Sequence, residues 1–421
     1  MTEPVFHLPF FTNLLILLVA AKIFGEIFER FRQPAMIGEI MAGIILGPSI
    51  LNLIHRTEEI KVISELGIFM LVILAGLEIN IEDIIKSMKG KNIIISVMAF
   101  FLPFASGLAV GYWFDQNVMT TVFIGLCIAI TALPVSIRIL MDLGRINSEV
   151  GQKLISVAIF DDVLALSILG ILLNVKDSDF SVTAVAKAGL FSLIKLMVFI
   201  LMLTLVYFTI RKVMRKGDYL EEYLNKIISL LRGKEPLFAL FIAFVLLFST
   251  FTETLGLHFI VGAFFAAMLI SESLIGKENL KAIESTTGSM AMGFLAPIFF
   301  AGIGLEFHFS SIQNLCLLVA VIGFSYLSKI LGGYLGGTFA GLSRRVSLTL
   351  GIGLNARGIM ELVIANIAYK NGLIGTEIFS ILVIMGILTT LSTPLLLRQA
   401  FRRNDRKSGV SQGDFEPGPF T

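Results

Sequence analysis

Hydrophobic residues fill thirteen long blocks of this chain, at about 10–28, 35–54, 62–80, 92–113, 118–141, 152–174, 184–210, 236–254, 258–271, 289–306, 312–340, 346–369 and 375–397. Most approach the ~20 residues that a helix needs to cross the hydrocarbon core of a bilayer. The ninth is short for a straight crossing. Polar loops between the blocks are short almost everywhere, so the pattern predicts one all-α polytopic membrane bundle over residues 1–421.

The basic residues orient the bundle. One set of alternate loops holds Arg30 and Arg32; Lys86, Lys89 and Lys91; Arg138, Arg145 and Lys153; the basic linker 211–234; Lys277 and Lys281; Arg344 and Arg345; and the tail with Arg398, Arg402, Arg403, Arg406 and Lys407. The other set holds only Arg56, Lys61, Lys176 and Lys370. Cytoplasmic loops carry the excess of Lys and Arg, so the N-terminus is expected outside and the C-terminus in the cytoplasm. Residues before the first block include Glu3 and no Lys or Arg, a poor secretory signal, so the first span is expected to remain in the mature protein.

Composition agrees with a membrane protein: 56% of residues are hydrophobic and only 15% charged, with a mean hydropathy of +0.89. A net charge of +2 is too small to argue for nucleic acid. Cys127 and Cys316 both fall in apolar blocks, which makes a structural disulfide unexpected, and no metal-ligand spacing occurs.

The chain divides at the linker 211–236, where Leu220, Tyr223, Leu224, Ile227, Ile228 and Leu231 recur at helical spacing and predict an amphipathic helix on the cytoplasmic surface. Residues 1–174 form a first repeat, 184–235 a linking span with that helix, 236–397 a second repeat and 398–421 a cytoplasmic tail. Residues 37–46 (IGEIMAGIIL) match 261–270 (VGAFFAAMLI), and Gly76-Leu77-Glu78 matches Gly304-Leu305-Glu306. Both matches lie seven spans apart. An odd offset inverts one copy in the membrane, the inverted-repeat pattern of secondary transporters, whose sites lie on interrupted helices near the midplane. Two interruptions are visible, again seven spans apart: Thr131-Ala132-Leu133-Pro134 in span five, and Gly351 to Gly358 with Asn355-Ala356-Arg357 in span twelve. The expectation is two discontinuous helices that cross at their breaks, with fixed charges offsetting the facing dipole ends.

Asp161 and Asp162 sit side by side in the middle of span six. Translocon scales put each Asp at a helix centre at about +2.5 to +3.5 kcal/mol, so the pair should be functional or well paired. Lys329 lies deep in span eleven and needs a carboxylate, Asp161 or Asp162. Arg357 and Glu361 stand four apart and can pair along one helix face. Glu39, Glu65 and Glu78 are expected at solvated helix ends, and Lys22 and Lys195 to snorkel or line a boundary. His7, His55, His258 and His308 fall on the outer side, and Tyr112 and Trp113 suit an interfacial anchor.

A carboxyl group taken out of water holds its proton more tightly; once ionised, it is a hard oxygen ligand. Together with the Thr131 hydroxyl and backbone carbonyls freed by the breaks, it suits a small alkali cation. Proton and cation then compete for one site, which is sufficient for antiport if the site faces each side in turn. No G-x-x-x-x-G-K-[ST] motif is present, so an ion gradient is the expected driving force. A channel does not need alternating access, and a sensor does not need the repeat. Adjacent aspartates also differ from the separated pair that an intramembrane protease uses, and no other enzyme signature stands out.

At these residues the chain resembles the bacterial sodium/proton antiporters of the second monovalent cation:proton antiporter family. The resemblance rests on Gln33-Pro34, Ile37-Gly38-Glu39, Gly47-Pro48, Phe160-Asp161-Asp162, Lys329 with Ile330-Leu331-Gly332-Gly333, and Asn355-Ala356-Arg357-Gly358. It implies electrogenic exchange of Na+ or Li+ for protons, two protons per sodium ion, in an inner-membrane homodimer surrounded by lipid. Asp162 would bind the cation, Asp161 would pair with Lys329, and Thr131 would lie at the crossover, with Asn355, Arg357 and Glu361 as further groups on the broken helix. Spans four to six and eleven to thirteen would form a core that moves as an elevator past a dimerisation scaffold. No cofactor is implied. Potassium/proton exchange by the same machinery is the alternative. Two departures stand out: Ile359 follows Arg357-Gly358 where some relatives place Glu, and the polar tail leaves no room for the nucleotide-binding domain of potassium-efflux relatives.

Overall fold

The computed structural model describes residues 9–31, 33–55, 57–79, 90–143, 145, 148–173, 190, 194–195, 198–199, 201–202, 234–255 and 258–408. Every regular element among them is helical. The amphipathic linker helix, His7 and most of span seven lie outside the described residues.

The elements follow the apolar blocks: α1 (Phe10–Arg30), α2 (Ala35–Leu46), α3 (Glu58–Glu78), α4 (Asn92–Trp113), α5 (Val118–Ala129), α6 (Leu133–Asp142), α7 (Glu149–Leu172), α8 (Lys234–Thr254) and α9 (Phe259–Leu269). Next is α10, in which Lys277–Met290 continues through a π turn at Ala291–Leu295 into Ala296–Glu306. The chain closes with α11 (Leu315–Phe339), α12 (Arg344–Gly353), α13 (Ile359–Lys370) and α14 (Thr376–Ser408). Eight of these spans are long and apolar enough to cross a membrane. The protein is therefore a multi-pass membrane protein. Phe11, Leu15, Val19, Ile23 and Ile27 stand exposed at four-residue spacing on α1, the face that a lipid-contacting helix requires.

Several boundaries differ from the sequence reading. Span ten begins twelve residues early, at Lys277, because its first turns (KENLKAIESTTG) are helical but too polar to register as apolar. Span two is helical only to Leu46: Gly47 leaves the helix in an extended conformation and Pro48 cannot continue it. Glu39 is not at a solvated end. It is 4% exposed on α2, with its carboxylate 4.0 Å from Lys22 of α1. Glu65 and Glu78 are exposed, as expected.

The described residues fall into two compact units, one of Met1–Glu58, Asp83–Ala165 and Phe300–Thr421, the other of Glu59–Glu82 and Leu166–Phe299. In the second, a Cβ on Gly76 of α3 would lie 2.5 Å from the Phe264 carbonyl oxygen of α9. In the first, a Cβ on Gly304 of α10 would overlap the Ile40 carbonyl oxygen of α2, and one on Gly43 of α2 would overlap the Ala301 carbonyl oxygen. The two repeat motifs thus serve the same purpose twice. The glycine of each Gly-Leu-Glu lets its span press against the short helix of the opposite repeat.

We predict that Gly43→Ala and Gly304→Ala each lower stability by about 1–3 kcal/mol, the usual cost of overpacking. Gly323→Ala on α11, where a Cβ meets nothing within 4 Å, should be neutral or slightly stabilising. Thermal unfolding in detergent checks all three.

Candidate functional site

Both interruptions are real breaks, and they meet. α5 stops at Ala129 and α6 starts at Leu133, so Ile130, Thr131 and Ala132 leave the helix. Pro134 occupies the first turn of α6, where its missing N–H costs nothing. α12 stops at Gly353 and α13 starts at Ile359. The two non-helical stretches are joined by a backbone hydrogen bond from Ala132 N–H to Ala356 O (2.9 Å) and by one from the Thr131 hydroxyl to Leu354 O (3.1 Å). Gly358 permits the approach, since a Cβ there would lie 2.6 Å from the Ala132 Cβ.

The freed carbonyls at the end of α5 face one cation. Arg357 Nη1 donates to the carbonyls of Cys127 and Ile130 (3.1 Å for the latter). Nη2 donates to Ile128 O at 2.6 Å and to the hydroxyl of Ser325 on α11 at 2.8 Å. All four Nη protons of the guanidinium are thereby engaged. A positive charge at a helix C-terminus also opposes the negative end of the dipole. The end of α12 is closed without a charge: Asn355 Nδ2 donates back to Gly351 O (3.1 Å) and Ile352 O (3.3 Å), and Leu354 O receives Thr131.

Lys329 is the second fully buried cation. Its ammonium donates to Asp161 Oδ2 at 2.9 Å, to Thr131 Oγ1 at 2.8 Å and to Ala99 O of α4 at 3.2 Å, which engages all three of its protons. Its sequence neighbours make this reach possible. Gly332 brings α11 against the backbone of Met98 and Ala99, and Gly333 brings it against Gly351 of α12. Asp162, the next residue on α7, is also buried, at 1% exposure, and points about 100° further around the helix.

Glu361 lies in the first turn of α13, 1% exposed, with Oε2 3.8 Å from Arg357 Nε. Thr131, Asp161, Lys329, Asn355, Arg357 and Glu361 are thus tied into one set of contacts around the crossing, with Asp162 beside it. His258 and His308 lie elsewhere, at the starts of α9 and of the turn before α11. Sequence reasoning missed Ser325 and the Ala99 carbonyl. Ser325 could have been found as the polar residue one turn before Lys329; a backbone acceptor leaves no sequence mark.

The profile of the family described as "Sodium/hydrogen exchanger, transmembrane" matches residues 14–402. The chain belongs to this family. Among the relatives of this exchanger, "Na(+)/H(+) antiporter NhaS4" of Synechocystis is 30% identical over 413 residues, covering 92% of this chain and 96% of the relative. "Na(+)/H(+)-K(+) antiporter GerN" of Bacillus cereus is 27% identical over 405 residues, covering 96% and 99%. The fold of the exchanger matches the solved structure of the sodium proton antiporter MjNhaP1 of Methanocaldococcus jannaschii, with a TM-score of 0.66 at 16% identity over 93% of this chain and 96% of that one.

Arg357→Lys keeps the charge of the exchanger's buried cation but loses the fork, because one ammonium cannot hold three carbonyls and Ser325 together. We predict a loss of about 3 kcal/mol, the scale of breaking a buried charged network. Alkylation of buried Cys127 on heating, in a background where exposed Cys316 is replaced by Ser, reports it.

Proposed function

We propose that this protein exchanges Na+ or Li+ for protons across the cell membrane, and that Asp162 with Asp161 and Thr131 forms the site where cation and proton compete. The observation that carries this reading is the placement of two adjacent buried aspartates beside the crossing of two broken helices, with Asp161 held by Lys329 at 2.9 Å. A carboxylate in that setting has two ways to neutralise its charge without water: take a proton or take a cation. The Thr131 hydroxyl and the break carbonyls supply neutral oxygens of the kind a hard alkali ion accepts.

In this reading Lys329 pairs with Asp161 when the cation is absent, and cation binding releases one proton from the Asp162 carboxyl and one from the Lys329 ammonium, two protons per sodium ion. Exchange is then electrogenic. Spans four to six and eleven to thirteen move as an elevator core past the remaining spans in a homodimer, with residues 1–174 and 236–397 as the inverted repeats. The Lys and Arg alternation supports an external N-terminus and a cytoplasmic C-terminus. Potassium/proton exchange is the second reading, favoured by the similarity to a relative named as a Na(+)/H(+)-K(+) antiporter.

Purified protein in proteoliposomes tests both. Dye-reported proton flux should respond to Na+ and Li+ and far less to K+; a dominant response to K+ overturns the cation assignment. An imposed membrane potential should accelerate exchange, and indifference to potential would show electroneutral transport. Asp162→Asn should abolish cation-dependent proton flux while the protein still folds. Retained flux removes Asp162 from the site.

A further inference from the structure

Asn366 is 1% exposed on α13, where Val363, Ile364 and Ile367 are buried around it. Its Nδ2 donates to Oε2 of Glu306, the last residue of α10, at 2.8 Å. Its Oδ1 meets no donor among the described residues. Burying an amide among apolar side chains is costly unless it is hydrogen-bonded. That cost is offset only while α10 and α13 stand in the register that brings Asn366 opposite Glu306. A carboxyl oxygen accepts this bond whether Glu306 is ionised or protonated.

The two partners belong to different parts of the proposed elevator. α10 is interlocked with α2, since Gly43 meets the Ala301 backbone and Gly304 meets the Ile40 backbone. α13 leaves directly from the crossing that holds the core together. Asn366 lies seven residues beyond Ile359, the start of α13, which is roughly 10 Å outward along the helix. Nearer the crossing the same boundary is smooth. Ile37 and Ile40 of α2 share a narrow gap with Gly358, Leu362, Gly386 and Ile387. Thr390 also lines this gap, but its hydroxyl donates to Arg357 O at 2.9 Å. Apolar and glycine surfaces fix no register as they slide; a buried polar pair does, because one step out of place leaves its groups unpartnered.

We propose that Asn366 and Glu306 are positioning residues for transport. Their bond is a catch at the outer end of the boundary that holds the core in the described position and opens in each cycle. The proposal rests on the elevator reading. It goes beyond that reading by naming the contact that must break before the core moves.

The test joins Glu306→Cys and Asn366→Cys, in a Cys316→Ser background of the full-length protein, with a short bis-methanethiosulfonate reagent. Cross-linking should remove nearly all Na+-dependent proton flux in proteoliposomes, and a reductant should restore it. Flux that persists once the free thiols are consumed overturns the proposal. Asn366→Leu, which fills the space without the bond, should change the ratio of apparent KM for Na+ on the two sides of sealed vesicles about tenfold. Glu306→Gln keeps an oxygen acceptor and should keep the wild-type ratio. A lower kcat with an unchanged ratio in Asn366→Leu marks a purely structural role and also overturns the proposal. If the double-cysteine protein is too unstable to assay, these two variants decide. Failure of the elevator reading appears separately, as flux that survives the same cross-link between Ile37→Cys and Leu362→Cys across the gap.

Discussion

A helix broken inside a membrane protein exposes backbone groups that water cannot reach, and each must find a partner within the protein. The organisation around the crossing follows from that requirement. The end of α5 leaves the carbonyls of Cys127, Ile128 and Ile130 to be satisfied, and one guanidinium satisfies all three. Its reach fixes where α12 must break, because Arg357 comes from the stretch between α12 and α13. Ala132 N–H then donates to Ala356 O and ties the two breaks together. Once the chain has made these bonds, Thr131 lies between Lys329 and Leu354, donating to one and accepting from the other.

The buried charges follow from the same accounting of donors. Lys329 and Arg357 are the fully buried cations among the described residues, and every Nζ and Nη proton on them is engaged. Partners so complete make both cations fixed features of the scaffold around the aspartates. For the exchange proposed above, the Lys329–Asp161 contact is a charge pair that a competing cation could displace without unsatisfying a backbone group. Thr131 would keep its bond to Leu354 O in either case.

Much of this was legible in the sequence, for identifiable reasons. Lys329, Asp161 and Asp162 stood out because a charge in an apolar block has few bland explanations. The breaks were visible because Pro134 and the Gly351–Gly358 stretch oppose helix locally. The inverted repeat showed in glycines, and the structure gives the cause: Gly43, Gly76 and Gly304 sit where backbone meets backbone. What stayed hidden depended on distant partners or on polar helix. The Ala99 carbonyl carries no side-chain signal. The early turns of α10 at Lys277–Met290 are too polar to read as span. Glu39 looked like a helix-end acid because its neighbours in sequence are a turn, whereas its neighbours in space are Lys22 and Gly25 of α1. The position of the Arg357 fork was equally hidden: sequence suggested a partner four residues on, and the structure gives that partner only Nε.

The two breaks are related by the repeat, yet their ends are closed differently, and the difference bears on what the crossing can hold. α5 is closed by a charge from another segment. α12 is closed by its own Asn355 amide and by a neutral hydroxyl from Thr131. A second cation in the place of Asn355 would satisfy the same carbonyls. It would also add another full positive charge to a crossing that already holds Lys329 and Arg357, and no metal or proton would be attracted there. A neutral closure at both ends would leave the α5 carbonyls without the multi-donor partner that three of them share. One charged and one neutral closure is therefore the arrangement that satisfies the backbone and still leaves the aspartates able to attract a cation. Symmetry in the fold and asymmetry in the caps are both required, and the asymmetry is written in a single pair of side chains, Arg357 and Asn355, two residues apart.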